Sequence, residues 1–262
     1  MPHVDKHPAG EFCWLELATS DQDAAKGFYR DLFGWNINDF PMDPQGVYTI
    51  FRMDGRDVAA GCTLQPDQKA AGVPPHWMIY MAVDNADQSA AKASSLGAKV
   101  LAPAFDVMDA GRMAVIQDPT GAVFCLWQPK RNQGLGITGD PNTFCWADLV
   151  TADPARAKQF YSGLFGWQIM AGEKDTSGYL HIKNGEDFIG GIPPVRQQGP
   201  KMPSHWMSYF AVSDVDQAAK KAQELGAKTF APPMDIPGAG RMAVLADPQG
   251  AAFAIFKSAR QS

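Results

Sequence analysis

Apolar and polar positions along this chain follow two alternating periods. Residues 12–18 form an aromatic and aliphatic run of the composition expected of a strand. Directly after it, Ala24, Ala25, Phe28, Leu32 and Phe33 recur at helical spacing, with Thr19 or Ser20 available as an N-cap and Gly34 as the stop. Residues 47–53 and 58–64 predict two strands joined by the polar turn Asp54-Gly55-Arg56-Asp57. Residues 77–83 predict a strongly apolar strand, and residues 87–96 a second helix ending at Gly97, where a left-handed cap is wanted. Two closing strands, 113–117 and 122–128, flank Asp118-Pro119-Thr120-Gly121, which suits a type I turn. The first half thus predicts a β-α-β-β-β unit twice over.

The whole pattern then recurs. Residues 12–35 match residues 144–167 at 14 of 24 positions, and residues 74–103 match 203–232 at 18 of 30. The offset falls from 132 to 129 between the two blocks, so an intervening loop is shorter in the second copy. Gly111-Arg112-Met113-Ala114-Val115 returns as Gly240-Arg241-Met242-Ala243-Val244, and Asp118-Pro119-Thr120-Gly121 as Asp247-Pro248-Gln249-Gly250. This duplication divides the chain into residues 1–131, a linker at 132–141 within a Gly-, Asn- and Pro-rich stretch, and residues 142–262.

Composition narrows the function classes. At 262 residues, 45% hydrophobic and 19% charged, the chain can bury two cores. A net charge of -5 with scattered Lys and Arg argues against nucleic acid as a partner. No apolar run is long enough for a membrane span and residues 1–10 lack a signal-type apolar stretch, so a cytoplasmic protein with a small-molecule partner is expected. Cys13, Cys62, Cys125 and Cys145 show no CxxC spacing, which excludes common zinc ribbons and predicts reduced thiols.

Four features in order resemble the vicinal oxygen chelate superfamily of glyoxalases, bleomycin-resistance proteins and extradiol dioxygenases. They are the strand ending in Thr19-Ser20-Asp21 or Thr151-Ala152-Asp153, the motif Phe28-Tyr29-x-x-Leu32-Phe33-Gly34-Trp35, the Leu-Gly-Ala of the second helix, and the Asp-Pro-x-Gly turn. The resemblance spans nearly the whole chain, twice. It implies an α+β fold of tandem glyoxalase-like domains, four βαβββ modules whose curved mixed sheets enclose cavities. It also implies a place for a divalent metal, with His, Gln or Glu on the first, fifth and last strands. Counting from the motifs puts Trp14 and Trp146, Met78 and Met207, and Cys125 and Ala254 at those places, while the stretch near residues 61–64 holds no His or Glu. These residues do not supply the nitrogen and oxygen donors such a site uses, so no metal is expected, with zinc, nickel, iron or manganese as the alternative cofactor.

Strand alternation selects the candidate cavity wall: Phe12, Trp14, Met78, Tyr80, Cys125 and Trp127 in the first half, and Phe144, Trp146, Met207, Tyr209 and Phe256 in the second. If Trp14 lies opposite Met78 on antiparallel strands, Glu16 falls opposite His76 and Asp148 opposite His205, two carboxylate–imidazole pairs suited to general acid or base chemistry. Tyr29 and Tyr161 sit at core spacing, Trp35 and Trp167 read as hydrophobic caps, and Arg112 and Arg241 read as surface partners of Asp106 and Asp235. Three functions stay open: a metal-free glyoxalase-like protein binding or transforming a small organic molecule, a metal-dependent lyase or extradiol-type dioxygenase with atypical ligands, and a non-catalytic binding or resistance protein. A monomer or a homodimer is expected, since the duplication can itself supply the two-fold symmetry of a family dimer.

Overall fold

A computed structural model describes residues 4–42, 46–172, 176–195 and 203–259. The first half runs β1 (Phe12–Thr19), α1 (Gln22–Phe33), β2 (Asn36–Pro41), β3 (Val47–Met53), β4 (Arg56–Thr63), a short α2 (Pro66–Ala70), β5 (His76–Ala82), α3 (Ala86–Ser95), β6 (Lys99–Val107), β7 (Gly111–Gln117) and β8 (Val123–Pro129). The second half runs β9 (Phe144–Val150), α4 (Pro154–Phe165), β10 (Gln168–Ala171), β11 (Leu180–Asn184), β12 (Asp187–Ile192), β13 (His205–Ala211), α5 (Val215–Glu224), β14 (Lys228–Ile236), β15 (Gly240–Ala246) and β16 (Ala252–Ser258).

Each half is one mixed eight-stranded sheet, β2-β3-β4-β1-β5-β8-β7-β6 and β10-β11-β12-β9-β13-β16-β15-β14. Both βαβββ modules of a half therefore share a sheet, joined through the antiparallel pair β1–β5 or β9–β13. The edge strands β2, β6, β10 and β14 extend the expected set of strands. Three of them, β2, β6 and β14, carry Asn, Asp, Pro or Lys, which suit a sheet edge and hide it from a search for apolar runs, and β10 is only four residues long.

Local chemistry sets the helix ends. Asp21, rather than Thr19 or Ser20, caps α1 by accepting a hydrogen bond from the Ala24 N–H at 3.0 Å, and Gly34 closes it at φ 77°, a left-handed conformation cheap only for glycine. Asp153 and Gly166 repeat both roles on α4.

The helix side of each sheet faces the other half. Phe28, Tyr29 and Phe33 of α1 meet Phe253, while Phe160, Tyr161 and Phe165 of α4 meet Phe124. Inside this aromatic core the Tyr29 hydroxyl donates to Asp247 Oδ2 at 3.0 Å and accepts from Trp77 Nε1 at 3.0 Å. Tyr161 does the same with Asp118 at 2.9 Å and Trp206 at 3.0 Å. Tyr29 and Tyr161 are core residues, and each also clasps the Asp-Pro-x-Gly turn of the opposite half.

Trp35 and Trp167 are buried too, and their indoles donate to the carbonyls of Asn142 and Gly10. The segment between β8 and β9 packs against the first half: Leu135 and Ile137 are buried and the Leu135 N–H bonds the Cys13 carbonyl. On the surface, Arg112 reaches Asp106 as expected and makes a closer two-point contact with Asp87, while Arg241 pairs with Asp235 and Asp216.

Candidate functional site

With the helix sides sealed together, the outward face of each sheet is where strand alternation places Trp14 and Glu16, or Trp146 and Asp148. The register there differs from the expected one by two residues. Glu16 lies opposite Met78 and Trp14 opposite Tyr80, so His76 falls opposite Ala18. In the second half Asp148 faces Met207, Trp146 faces Tyr209, and His205 faces Val150. The expected pairs Glu16–His76 and Asp148–His205 do not form. Both histidines instead sit at a strand start, their Nδ1 atoms 2.8 Å from the carbonyls of Pro74 and Pro203.

A second correction concerns Phe12 and Phe144. The ladder shifts between Phe12 and Trp14, and again where β9 meets Tyr209 and Phe210, consistent with a bulge that turns the preceding residue to the other face. Phe12 accordingly packs edge-on against Phe144, Trp167 and Trp206 between the halves, and the two phenylalanines line a crevice there with Cys145 and Phe188 rather than the face of Trp14 and Trp146. Cys125 is paired with Tyr80, and Trp127, two residues on, packs against that phenol at 6.2 Å between centroids. Met207, Tyr209 and Ala254 group with Trp146, Met242 and Phe256 on the outward face of the second sheet.

The partners of the two carboxyls are tyrosines that strand alternation on β1 and β5 could not supply alone. Glu16 Oε2 accepts from the Tyr48 hydroxyl at 2.8 Å, and Tyr48 in turn accepts from Trp14 Nε1 at 3.2 Å. Glu16 Oε1 receives the Cys62 thiol at 3.7 Å. In the second half Asp148 Oδ1 accepts from Tyr179 at 2.5 Å and Trp146 Nε1 at 3.1 Å, and Oδ2 accepts from Tyr209 at 2.7 Å. Tyr48 sits on a predicted strand whose facing was not assigned. Tyr179 precedes β11, a strand with no sequence signal strong enough to be read.

Burial pushes both acids toward protonation. Desolvation raises the pKa of Glu16, opposed by the phenols of Tyr48 and Tyr80, and that of Asp148, opposed by Tyr179, Tyr209 and Trp146. The same desolvation, with Glu16 nearby, lifts the Cys62 and Cys125 thiols far above their usual range, so both stay protonated. All four cysteines are free.

This donor set does not suit the divalent metal that the family resemblance implies. Around Glu16 stand phenols, an indole, a thioether and protonated thiols, with no imidazole on the carboxyl. Among the described residues no three His, Cys, Asp or Glu side chains converge as a metal would require. Two crevices of about 280 Å³ and 200 Å³ lie elsewhere, beside His7 near the N-terminal segment. Among the described residues no helix is long and apolar enough to cross a membrane.

Comparison with known proteins agrees with the duplicated architecture. The profile of the glyoxalase/bleomycin resistance protein/dioxygenase superfamily matches residues 11–126 and 143–255. The chain is 41% identical over 269 residues to CFP32 of Mycobacterium tuberculosis, covering 100% of both chains, a protein whose name offers glyoxylase as a candidate activity. It is 34% identical over 258 residues to the anthracycline biosynthesis protein DnrV of Streptomyces peucetius, covering 94% of this chain and 92% of that one. Its fold is shared with a Mn(II)-bound glyoxalase from Novosphingobium aromaticivorans (TM-score 0.65, 16% identity, 95% of this chain and 82% of the other). The 2,3-dioxygenase LapB from Pseudomonas sp. KL28 is similar in the same way (TM-score 0.67, 14% identity, 97% and 94%). Duplicated modules, motif order and profile together make this chain a member of the glyoxalase/bleomycin resistance protein/dioxygenase superfamily.

Proposed function

We propose that the protein binds a small, largely apolar organic molecule on the outward face of the first sheet and that the carboxyl of Glu16 there holds or exchanges a proton with it, without a metal. The observation that carries this reading is the Glu16 carboxyl itself. It is half-buried among Trp14, Met78, Tyr80 and Cys62, and its pKa is raised by desolvation. A desolvated acid with a raised pKa is suited to proton transfer, and an aromatic wall with few polar groups suits small-molecule binding. The names of CFP32 and DnrV, one for glyoxylase chemistry and one for anthracycline biosynthesis, both concern small organic molecules.

Elemental analysis of protein purified without chelator, run beside a thermal-shift screen of small aromatic and carbonyl compounds, tests the proposal. Metal well below one atom per chain is expected, together with stabilising compounds whose effect persists in EDTA. One or two tightly held metals per chain, or stabilisation that vanishes with chelator, overturns the metal-free reading.

A further inference from the structure

The duplication gives each half a groove where its first strand meets the parallel neighbour, and the chain fills the two grooves unequally. Register fixes the correspondence: Glu16 pairs with Ala60 and Asp148 with Gly191, so Cys13, Asp57 and Val58 in the first half answer to Cys145, Phe188 and Ile189 in the second. In the first half the segment after β8 lies in the groove. The Leu135 N–H donates to the Cys13 carbonyl and the Gly136 N–H to the Asp57 carbonyl, both at 2.8 Å. Leu135 and Ile137 are buried, and so are Cys13 and Val58.

Residues 4–11 are the counterpart of that segment. Gly10 bonds the Ala82 carbonyl as Asn142 bonds that of Ala211, and the carbonyls of Ala9 and Gly10 accept from Asn184 and Trp167 of the second half. Yet among the described residues no N–H of this stretch reaches the carbonyl of Cys145 or Phe188. Cys145 and Ile189 are only partly buried and Phe188 is 56% exposed. A crevice of about 200 Å³ remains between them and the rings of Phe12 and Phe144. Glu11 lines it too, and among the described residues its carboxylate has as partner only the His7 Nδ1 at 3.7 Å, beyond hydrogen-bond distance.

We propose that this crevice at the seam of the halves binds a small primary amine with a branched apolar body, in the place that Leu135 takes in the first half. The groups on offer are the Glu11 carboxylate, the main-chain carbonyls whose first-half counterparts receive N–H groups, and three phenylalanine rings. An ammonium answers all three, by ion pairing, hydrogen bonding and attraction to the aromatic faces. The branched hydrocarbon then supplies to Ile189 and the rings the apolar cover that Leu135 and Ile137 give the first half. The site is separate from Glu16 and independent of the reading proposed above for that carboxyl.

Titration of the full-length protein with 3-methylbutylamine, which is the nitrogen, Cα and side chain of a leucine, tests the proposal by calorimetry and methyl NMR. One equivalent per chain is expected, with the Ile189 methyl signals moving on saturation and those of Val58, its first-half counterpart, unmoved. Affinity is expected to fall about tenfold for Glu11→Gln and about fivefold for Phe188→Ala. Melting curves verify both proteins, and the exposed Phe188 keeps the test open if Glu11→Gln fails to fold. The alcohol 3-methylbutan-1-ol, of the same shape without the charge, is expected to bind about tenfold more weakly than the amine. Absence of saturable binding, Ile189 signals that stay still, or unchanged affinity in the folded variants overturns the site. Equal affinity for the alcohol overturns the assignment of the ligand as an amine.

Discussion

In the first half a glutamate, Glu16, pairs across the sheet with Ala60 and takes its hydrogen bond from Tyr48; in the second an aspartate, Asp148, pairs with Gly191 and takes it from Tyr179. The aspartate is one methylene shorter, so its phenol must come closer to the strand to reach it. Gly191 makes room: a Cβ there would overlap the Tyr179 hydroxyl. The difference teaches that the acid and the residue facing it on the neighbouring strand vary as a pair. A shorter acid with a bare backbone beside it gathers indole and phenol donors on both oxygens, whereas a longer acid beside an alanine takes a phenol on one oxygen and a thiol on the other.

The sharpest way to break this comparison is Gly191→Ala. The new methyl displaces the Tyr179 phenol and leaves a buried carboxyl short of a donor, a loss of about 2–4 kcal/mol in denaturant unfolding. The mirror change Ala60→Gly costs only about 1 kcal/mol, through added freedom of the unfolded chain. Equal losses for the two would sink the proposed coupling between acid length and strand neighbour. Removing the phenols directly is the next test. Tyr179→Phe is expected to cost roughly 1–3 kcal/mol, and Tyr48→Phe less than that, because Glu16 is half-buried and can recruit water. Urea midpoints in the reverse order would contradict that difference between the two acids.

The smallest effect expected is on pH dependence. Asp148 has its folded pKa raised by burial, so its contribution to stability is fully present below the unfolded value of about 3.9 and is lost as pH rises through the folded value. Asp148→Asn removes that dependence. Wild type should therefore gain melting temperature relative to Asp148→Asn as pH is lowered from 7 toward 4. A gap that moves the other way would show the carboxylate form to be the one the fold prefers.

Much of the fold was legible because duplication doubled every signal. The helix motif ending in Gly34-Trp35 and the Asp118 turn each appear twice, and their order gave four modules. The edge strands β2 and β6 were not legible, since Asn36, Asp39 and Pro103 belong to the vocabulary of loops as much as of sheet edges. The site was only half legible. Trp14, Glu16, Met78 and Tyr80 were placed on one face by alternation, but pairing across strands is fixed by register, and a slip of two exchanges Met78 for His76 as the neighbour of Glu16 without altering the hydrophobic pattern. Phe12 parts from the face of Trp14 because of a ladder shift between them that has no sequence mark. Tyr48 lies on β3 and Tyr179 just before β11, both distant in sequence from the acids, and only the three-dimensional fold brings them together.

The reciprocal clasp of Tyr29 on Asp247 and Tyr161 on Asp118 bears on how such a chain can be cut and rejoined. Each half carries a phenol whose buried partner belongs to the other, so neither half expressed alone satisfies its own interior. Co-expressed as two polypeptides, the halves would supply each other's missing acceptors and reassemble by fragment complementation. A lone half would have to find that acceptor in a second copy of itself, the arrangement from which gene fusion could have started.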